Sequence, residues 1–244
     1  TAAEAVGNWY GTWKDAGFPG AWAPGTPGVN GRVTDRTTST DFGCLPIKTP
    51  GTGANYLTEL TMGASVNHSH LFFDVLWINS GLTVTTTTSQ SITTPTLPAR
   101  DVNGTTNGEG LMIGLMFTAA STNAAAIANS TVSYTNSTGT SGRTATLSAI
   151  AGSQIPATPV IGTMIWFNLQ AGDKGVQSIQ SITLATSLVT GSISLFIARD
   201  LANIGTSLVN VQFTRKLSDP GVRLYNGTCM LHCILASATT ATFF

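Results

Sequence analysis

The sequence predicts an all-β protein, an antiparallel β-sandwich of jelly-roll type preceded by an extended N-terminal arm. Three observations predict it. From Leu57 onward about ten short runs rich in β-branched and aromatic residues recur, a spacing typical of sandwiches and jelly rolls. Turn clusters separate them: "NGTTNGEG", "NSTGTSG", "AGDKG" and "SDPG". No long amphipathic helical period interrupts the series, and no internal repeat points to a propeller or β-helix.

The division is an arm over residues 1–56 and a sandwich domain over 57–244. The arm reads "NWYGTWKDAGFPGAWAPGTPGVNG", in which Pro and Gly break every regular period. Its Trp9, Tyr10, Trp13 and Trp22 need somewhere to bury their rings. Two readings stand side by side: they cap this chain's own core, or they anchor onto a neighbouring subunit as interface hot spots do.

The strands follow in order. "HLFFDVLWI" (His70–Ile78) is mostly apolar, and "LTVTTTT" (Leu82–Thr88) is β-branched and partly alternating. "GLMIGLMFTA" (Gly110–Ala119) reads as a buried strand, and "STNAAAIAN" (Ser121–Asn129) as a loop. "STVSY" (Ser130–Tyr134) and "RTATLSAI" (Arg143–Ile150) alternate with period two and flank a turn. They predict a hairpin with Val132, Tyr134, Ala145 and Leu147 inside and hydroxyls outside. "TPVIGTMIWFNL" (Thr158–Leu169), "VQSIQSITLA" (Val176–Ala185), "GSISLFIA" (Gly191–Ala198), "SLVNVQF" (Ser207–Phe213) and "CMLHCIL" (Cys229–Leu235) complete the set, the second with imperfect alternation.

Composition narrows the function. The chain has 244 residues, 42% of them hydrophobic, and zero net charge, so a sizeable core is available and disorder through charge is excluded. Only 9% are charged, against about 25% in a typical globular protein. Ser and Thr cost less to bury at a contact than Lys and Glu, so this balance favours a protein that lives in an assembly. Zero net charge with scattered cations argues against a nucleic-acid partner. No signal peptide is expected in "TAAEAVGNWYGTWKD", and the longest apolar run, Gly110–Ala120, is too short for a membrane span.

Motifs for catalysis are missing. "GTSG" (Gly139–Gly142) is one residue short of a nucleophile elbow, and "GTGANY" (Gly51–Tyr56) lacks the third glycine of a dinucleotide fingerprint. Glycoside cleavage needs paired acids; Glu59, Asp74, Asp101, Glu109 and Asp173 are isolated in sequence, and Asp101 and Asp173 read as turn residues. His68 and His70 share a strand face, which permits a metal if a third ligand, such as one from a symmetry mate, joins them; polar surface is the plainer reading. Three cysteines, Cys44, Cys229 and Cys233, make no disulfide framework and read as buried free thiols; Cys229 and Cys233 could chelate on a helix, but on the expected strand they lie about 13 Å apart and cannot share an ion. The sequons at Asn67, Asn103, Asn129, Asn136 and Asn226 are ascribed to chance in so Ser- and Thr-rich a chain. No cofactor or metal is expected.

Three segments carry a resemblance: Leu71–Gly110 with "LPAR", Val132–Leu147 with "YTNSTGTSGR", and Leu169–Leu184 with "AGDKGVQSI". In order and spacing they resemble a family of structural virion proteins of tailed bacteriophages, and Gly221–Leu235 resembles its closing strand. The resemblance covers roughly residues 57–240 and includes no catalytic motif. It implies a non-enzymatic β-sandwich on the capsid exterior, a cement or decoration protein assembled in the bacterial cytoplasm. Its implied partners are the major capsid protein and copies of itself, as a homotrimer, with neither nucleic acid nor membrane. The alternative is a tail, baseplate or fibre-tip protein that binds the host surface.

Overall fold

The computed structural model describes residues 5–14, 30–38, 44, 45, 47, 48, 50 and 52–237. Among them run fifteen strands: β1 (Trp9–Gly11), β2 (Arg32–Val33), β3 (Asn55–Leu57), β4 (Glu59–Gly63), β5 (His68–Asn79), β6 (Gln90–Ser91), β7 (Leu111–Ala119), β8 (Thr131–Asn136), β9 (Arg143–Thr146), β10 (Thr163–Trp166), β11 (Val176–Thr183), β12 (Ser192–Thr206), β13 (Gln212–Lys216), β14 (Val222–Leu224) and β15 (Met230–Ala236). Helix among these residues is confined to two 3-10 turns, Thr12–Lys14 and Arg36–Thr38. All the strand pairings are antiparallel, so the all-β expectation holds. No helix among the described residues is long and apolar enough to cross a membrane.

The largest sheet is not an open leaf of a jelly roll. It runs β12-β7-β10-β1-β15-β5, and β12 pairs again with β5, so six strands close into a barrel with β2 appended to β5. Closure depends on the fifteen-residue β12, which pairs β7 through Ser192–Arg199 and β5 through Leu195–Thr206. Register shifts at Ile197/Ala198 and Asp200/Ala202 bend it around the barrel. Closure leaves these strands without free edges.

Alternate residues fill the barrel: Leu71, Phe73 and Val75 from β5, Met116 from β7, Met164 and Trp166 from β10, Phe196 and Ala198 from β12, Leu231 and Cys233 from β15, with Trp9 from β1. Trp166 packs edge-on against Phe73 and Phe196, at 5.5 and 5.2 Å between ring centroids. Gly114 makes room for this trio, because a Cβ there would lie 2.1 Å from the Phe196 ring.

Here the expected arm fails for its first described segment. Trp9–Gly11 is a barrel strand held between β10 and β15 of the same chain. The short Trp-Tyr-Gly run shows no period, yet its neighbours supply both ladders. Trp13, beyond Gly11, is buried at the barrel end opposite Trp9. A disulfide between Cys44 and Cys229, with Cα atoms 5.2 Å apart, lies at that same end. This corrects the free-thiol expectation for those two residues. Leu45 donates its N–H to the Met230 carbonyl, which brings a segment 185 residues distant alongside β15. Cys233 alone is a buried free thiol.

Two outer layers complete the molecule. The four-stranded sheet β6-β11-β8-β9 packs Val132, Tyr134, Ala145, Val176, Ile179 and Ile182 against Leu76, Ile113, Leu115, Ile193, Leu195 and Ile197 on the barrel wall. The ribbons β3–β14 and β4–β13 cover another stretch of wall around Phe72, Leu201 and Met230. Leu82–Thr88 is not a strand. There Gln90 accepts from the Thr83 N–H and donates to the Thr83 carbonyl, so a side-chain amide takes the place of a partner strand.

Candidate functional site

The most distinctive surface is the outer face of the four-stranded sheet. Its construction begins in the β8–β9 hairpin, whose register pairs Val132 with Ala145 and Tyr134 with Arg143. Val132, Tyr134, Ala145 and Leu147 are fully buried, as their alternation predicts. Asn136 organises the turn: its Oδ1 accepts from the Thr138 and Thr140 N–H groups at 3.1 and 2.9 Å.

Asp173, in the "AGDKG" turn, ties this hairpin to β11. Its carboxylate accepts from Arg143 Nε at 2.9 Å and Nη2 at 3.0 Å, from Asn136 Nδ2 at 2.8 Å, and from the Tyr134 hydroxyl. The bidentate Arg143 contact is the largest cause that holds the Asp173 carboxyl well below the usual carboxylate range. Burial and the same carboxylate push the Tyr134 hydroxyl up to about 12. Arg143 thus lies on the inner side of the sheet edge and orders the turn.

What remains outside carries no charge. Ser91 of β6, Ser178, Gln180, Ser181 and Thr183 of β11, Thr131, Ser133 and Thr135 of β8, and Thr144 and Thr146 of β9 make up the face. They bond to one another: Gln180 Nε2 donates to Thr135 Oγ1 at 3.2 Å and to Ser178 Oγ at 2.9 Å. The result is a sheet surface of hydroxyls and amides, able to donate and accept and cheap to desolvate relative to a charged one.

The other candidates resolve individually. Tyr10 and Trp13 are buried within this chain, at 3% and 4% exposure, so they are unavailable as anchors onto a neighbour. Trp9 is half-buried against the barrel interior, and Trp22 lies outside the described residues. His68 and His70 lie on the outer wall of β5, where His70 Nδ1 meets His232 Nε2 of β15 at 3.0 Å. The third histidine is therefore present, but it is hydrogen-bonded to His70. Among the described residues no group of His, Cys, Asp or Glu is arranged to hold a metal ion.

The carboxylates do not form a catalytic pair. Asp74 is fully buried; Arg100 Nε lies 3.1 Å from its Oδ2, and the Cys229 N–H donates to its Oδ1 at 2.8 Å. Burial raises the Asp74 carboxyl, while Arg100 and Arg199 oppose that rise. Arg100 also donates to the carbonyls of Thr34 and Val75, at 2.9 and 2.8 Å. Asp101 accepts from the backbone N–H groups of Asn103, Thr105, Gly108 and Glu109, which fixes the loop before β7. Glu109 accepts from Asn103 Nδ2, and Glu59 lies opposite Lys216 on the β4–β13 ribbon.

Sequence reasoning missed the Asp173 hub, the His70–His232 pair, and Asp200 and Trp166, which face one end of the barrel. A lone acid following an apolar strand, "LFIARD", was the available signal for Asp200. Comparison with family models, with curated proteins and with solved structures finds no match to this chain.

Proposed function

We propose that the protein is a non-enzymatic structural component of a tailed-phage particle, a cement or decoration protein that bridges neighbouring subunits on the head exterior. The observation that carries this reading is the uncharged hydroxyl face of the β6-β11-β8-β9 sheet. A free surface rich in Lys and Glu stays soluble through its charge; a charge-free, self-bonded sheet face suits burial against another protein. The use of Asp74, Asp101, Glu109 and Asp173 in structural contacts supports the non-enzymatic part. On this reading the face meets the major capsid protein or a second copy of this chain, in a homotrimer closed about a symmetry axis.

Lysines placed on the face test it. Ser133→Lys with Ser181→Lys, opposite each other in the β8–β11 register, leaves the buried face untouched. The expected result is an unchanged thermal midpoint with loss of self-association and of binding to phage heads. Undiminished attachment of the double variant to heads and to itself overturns the assignment.

A further inference from the structure

Trp13 and the Cys44–Cys229 bridge pack into the barrel's apolar interior, and one end of the barrel opens outward. The open end is a cavity of about 440 Å3, within the size range of small-molecule sites, which the mouths of β-barrels commonly provide. All six barrel strands contribute to its wall: Trp9 from β1, Leu71 from β5, Met112 from β7, Trp166 from β10, Asp200 from β12 and Leu235 from β15. Two indoles and three aliphatic or thioether side chains thus surround one carboxylate.

That carboxylate is solvent-accessible and has no protein partner: among the described residues the Asp200 side chain makes no hydrogen bond and no ion pair. The cation whose charge acts on it is Arg215, whose Nη1 instead donates to the Asn203 carbonyl at 2.6 Å and to Asn203 Oδ1. Asp200 is accessible at the rim, yet enclosure by the mouth raises its carboxyl pKa against the pull of Arg215. In register Asp200 sits opposite Phe73, and its charge adds to the burial that pushes the Cys233 thiol up.

We propose that the barrel mouth binds an organic ammonium cation, with Asp200 as counter-ion and Trp9 and Trp166 as aromatic walls. An unpaired carboxylate in a partly desolvated site gains most from a cation, and indole faces attract alkylammonium groups. A saccharide fits less well. It would bring several hydroxyls to a wall with few free side-chain polar groups, namely Asp200, Ser69, the Trp166 Nε1–H and His70 Nε2, because Asn203 is engaged by Arg215. The proposal rests on the barrel geometry and is independent of the virion reading; an ammonium group on a small solute or on a lysine side chain would present the same chemistry.

Choline and its uncharged carbon isostere, 3,3-dimethylbutan-1-ol, form the decisive pair of probes, with N-α-acetyl-lysine amide as the side-chain arm. Binding to the full chain is read by tryptophan fluorescence and by ligand-observed NMR. Choline is expected to bind at least about tenfold more tightly than the isostere, one charge-assisted contact being worth about that factor. Asp200→Asn should abolish this preference without moving the unfolding midpoint, and Arg215→Gln should tighten choline binding by removing the competing cation. The choline and acetyl-lysine arms report whether a free solute or a protein side chain is preferred. Equal binding of choline and isostere, binding of N-acetylglucosamine in place of choline, or no binding of any probe overturns the proposal.

Discussion

Mild acid is expected to destabilise the fold through the histidines of β5 and β15. His70 Nδ1 and His232 Nε2 are 3.0 Å apart, so one ring donates and the other accepts. Burial, reinforced by the neighbouring histidines, lowers His70 to about 4 and His232 to about 3; burial lowers His68 as well. An unfolded histidine titrates near 6.5. As the pH falls, the unfolded chain therefore takes up protons first. The stability these residues confer is complete above about pH 6.5 and is lost as the pH falls toward their folded values. Between pH 6.5 and 5, a histidine shifted to about 4 forfeits about 1.5 kcal/mol, and the pair about 3 kcal/mol. The raised carboxyls of Asp74 and Asp200 act in the opposite sense, adding stability as the pH falls, so the histidine variants isolate the imidazole contribution. Urea unfolding at half-unit pH steps, followed by tryptophan fluorescence, measures the slope; His70→Leu combined with His232→Phe should flatten it. A midpoint that does not move between pH 6.5 and 5, or native imidazole resonances that titrate near 6.5, would refute the argument.

Two further outcomes follow from the core. Reducing the Cys44–Cys229 disulfide, or replacing both cysteines by serine, opens a covalent loop of 185 residues; loop entropy sets the loss at up to about 5 kcal/mol. Thiol titration of the unreduced, denatured protein should find Cys233 alone, and three reactive thiols there would contradict the bridge. Asp74→Ala should leave Arg100 and Arg199 buried without their counter-ion, a loss of about 3–5 kcal/mol in urea unfolding. A change below 1 kcal/mol would show that the charge is not confined as described.

What the sequence made legible was local. The inward face of the β8–β9 hairpin could be read because its alternation is unbroken and its turn chemistry is strong, although β9 ends at Thr146 and not at Ile150. β11 was blurred for a definite reason: shifts between Val176 and Ser178 and between Ile179 and Ser181 each insert a residue. Its buried positions, Val176, Ile179 and Ile182, therefore recur every third residue and imitate neither a strand nor a helix. β12 was read only to Ala198 because the polar run "RDLAN" interrupts its apolar stretch. In the barrel that run is where the strand crosses from the buried wall to the open mouth. Closure itself left no local mark: β1 is three residues long, and its ladders lie on strands more than a hundred residues away. The quoted turn motifs proved informative in another way. "LPAR" contributes Arg100 to the aspartate of "FFDVLW", and the tyrosine, asparagine and arginine of "YTNSTGTSGR" converge on the aspartate of "AGDKG".

Those pairings alter how the low charge content is understood. Charge is not merely scarce in this chain; among the described residues Asp74, Arg100, Asp101 and Arg199 are withdrawn from the surface. Asp74, Arg100 and Arg199 are almost wholly buried beside one another on the barrel wall, and Asp101 is closed over by backbone N–H groups. Arg143 and Asp173 pin the edge of the four-stranded sheet from its inner side. Buried ion pairs of this kind add little net stability, because desolvation offsets their attraction. They do penalise any packing that separates them. Here they join segments that periodicity cannot align: β5 to the loop before β7, and the β8–β9 hairpin to the turn before β11. With acids and bases committed to that registration, the sheet faces are left to hydroxyls and amides. Asp200 is the departure from this economy, an acid held at an aromatic rim without a partner, and that departure is why the barrel mouth is assigned a ligand while the sheet face is assigned a protein neighbour.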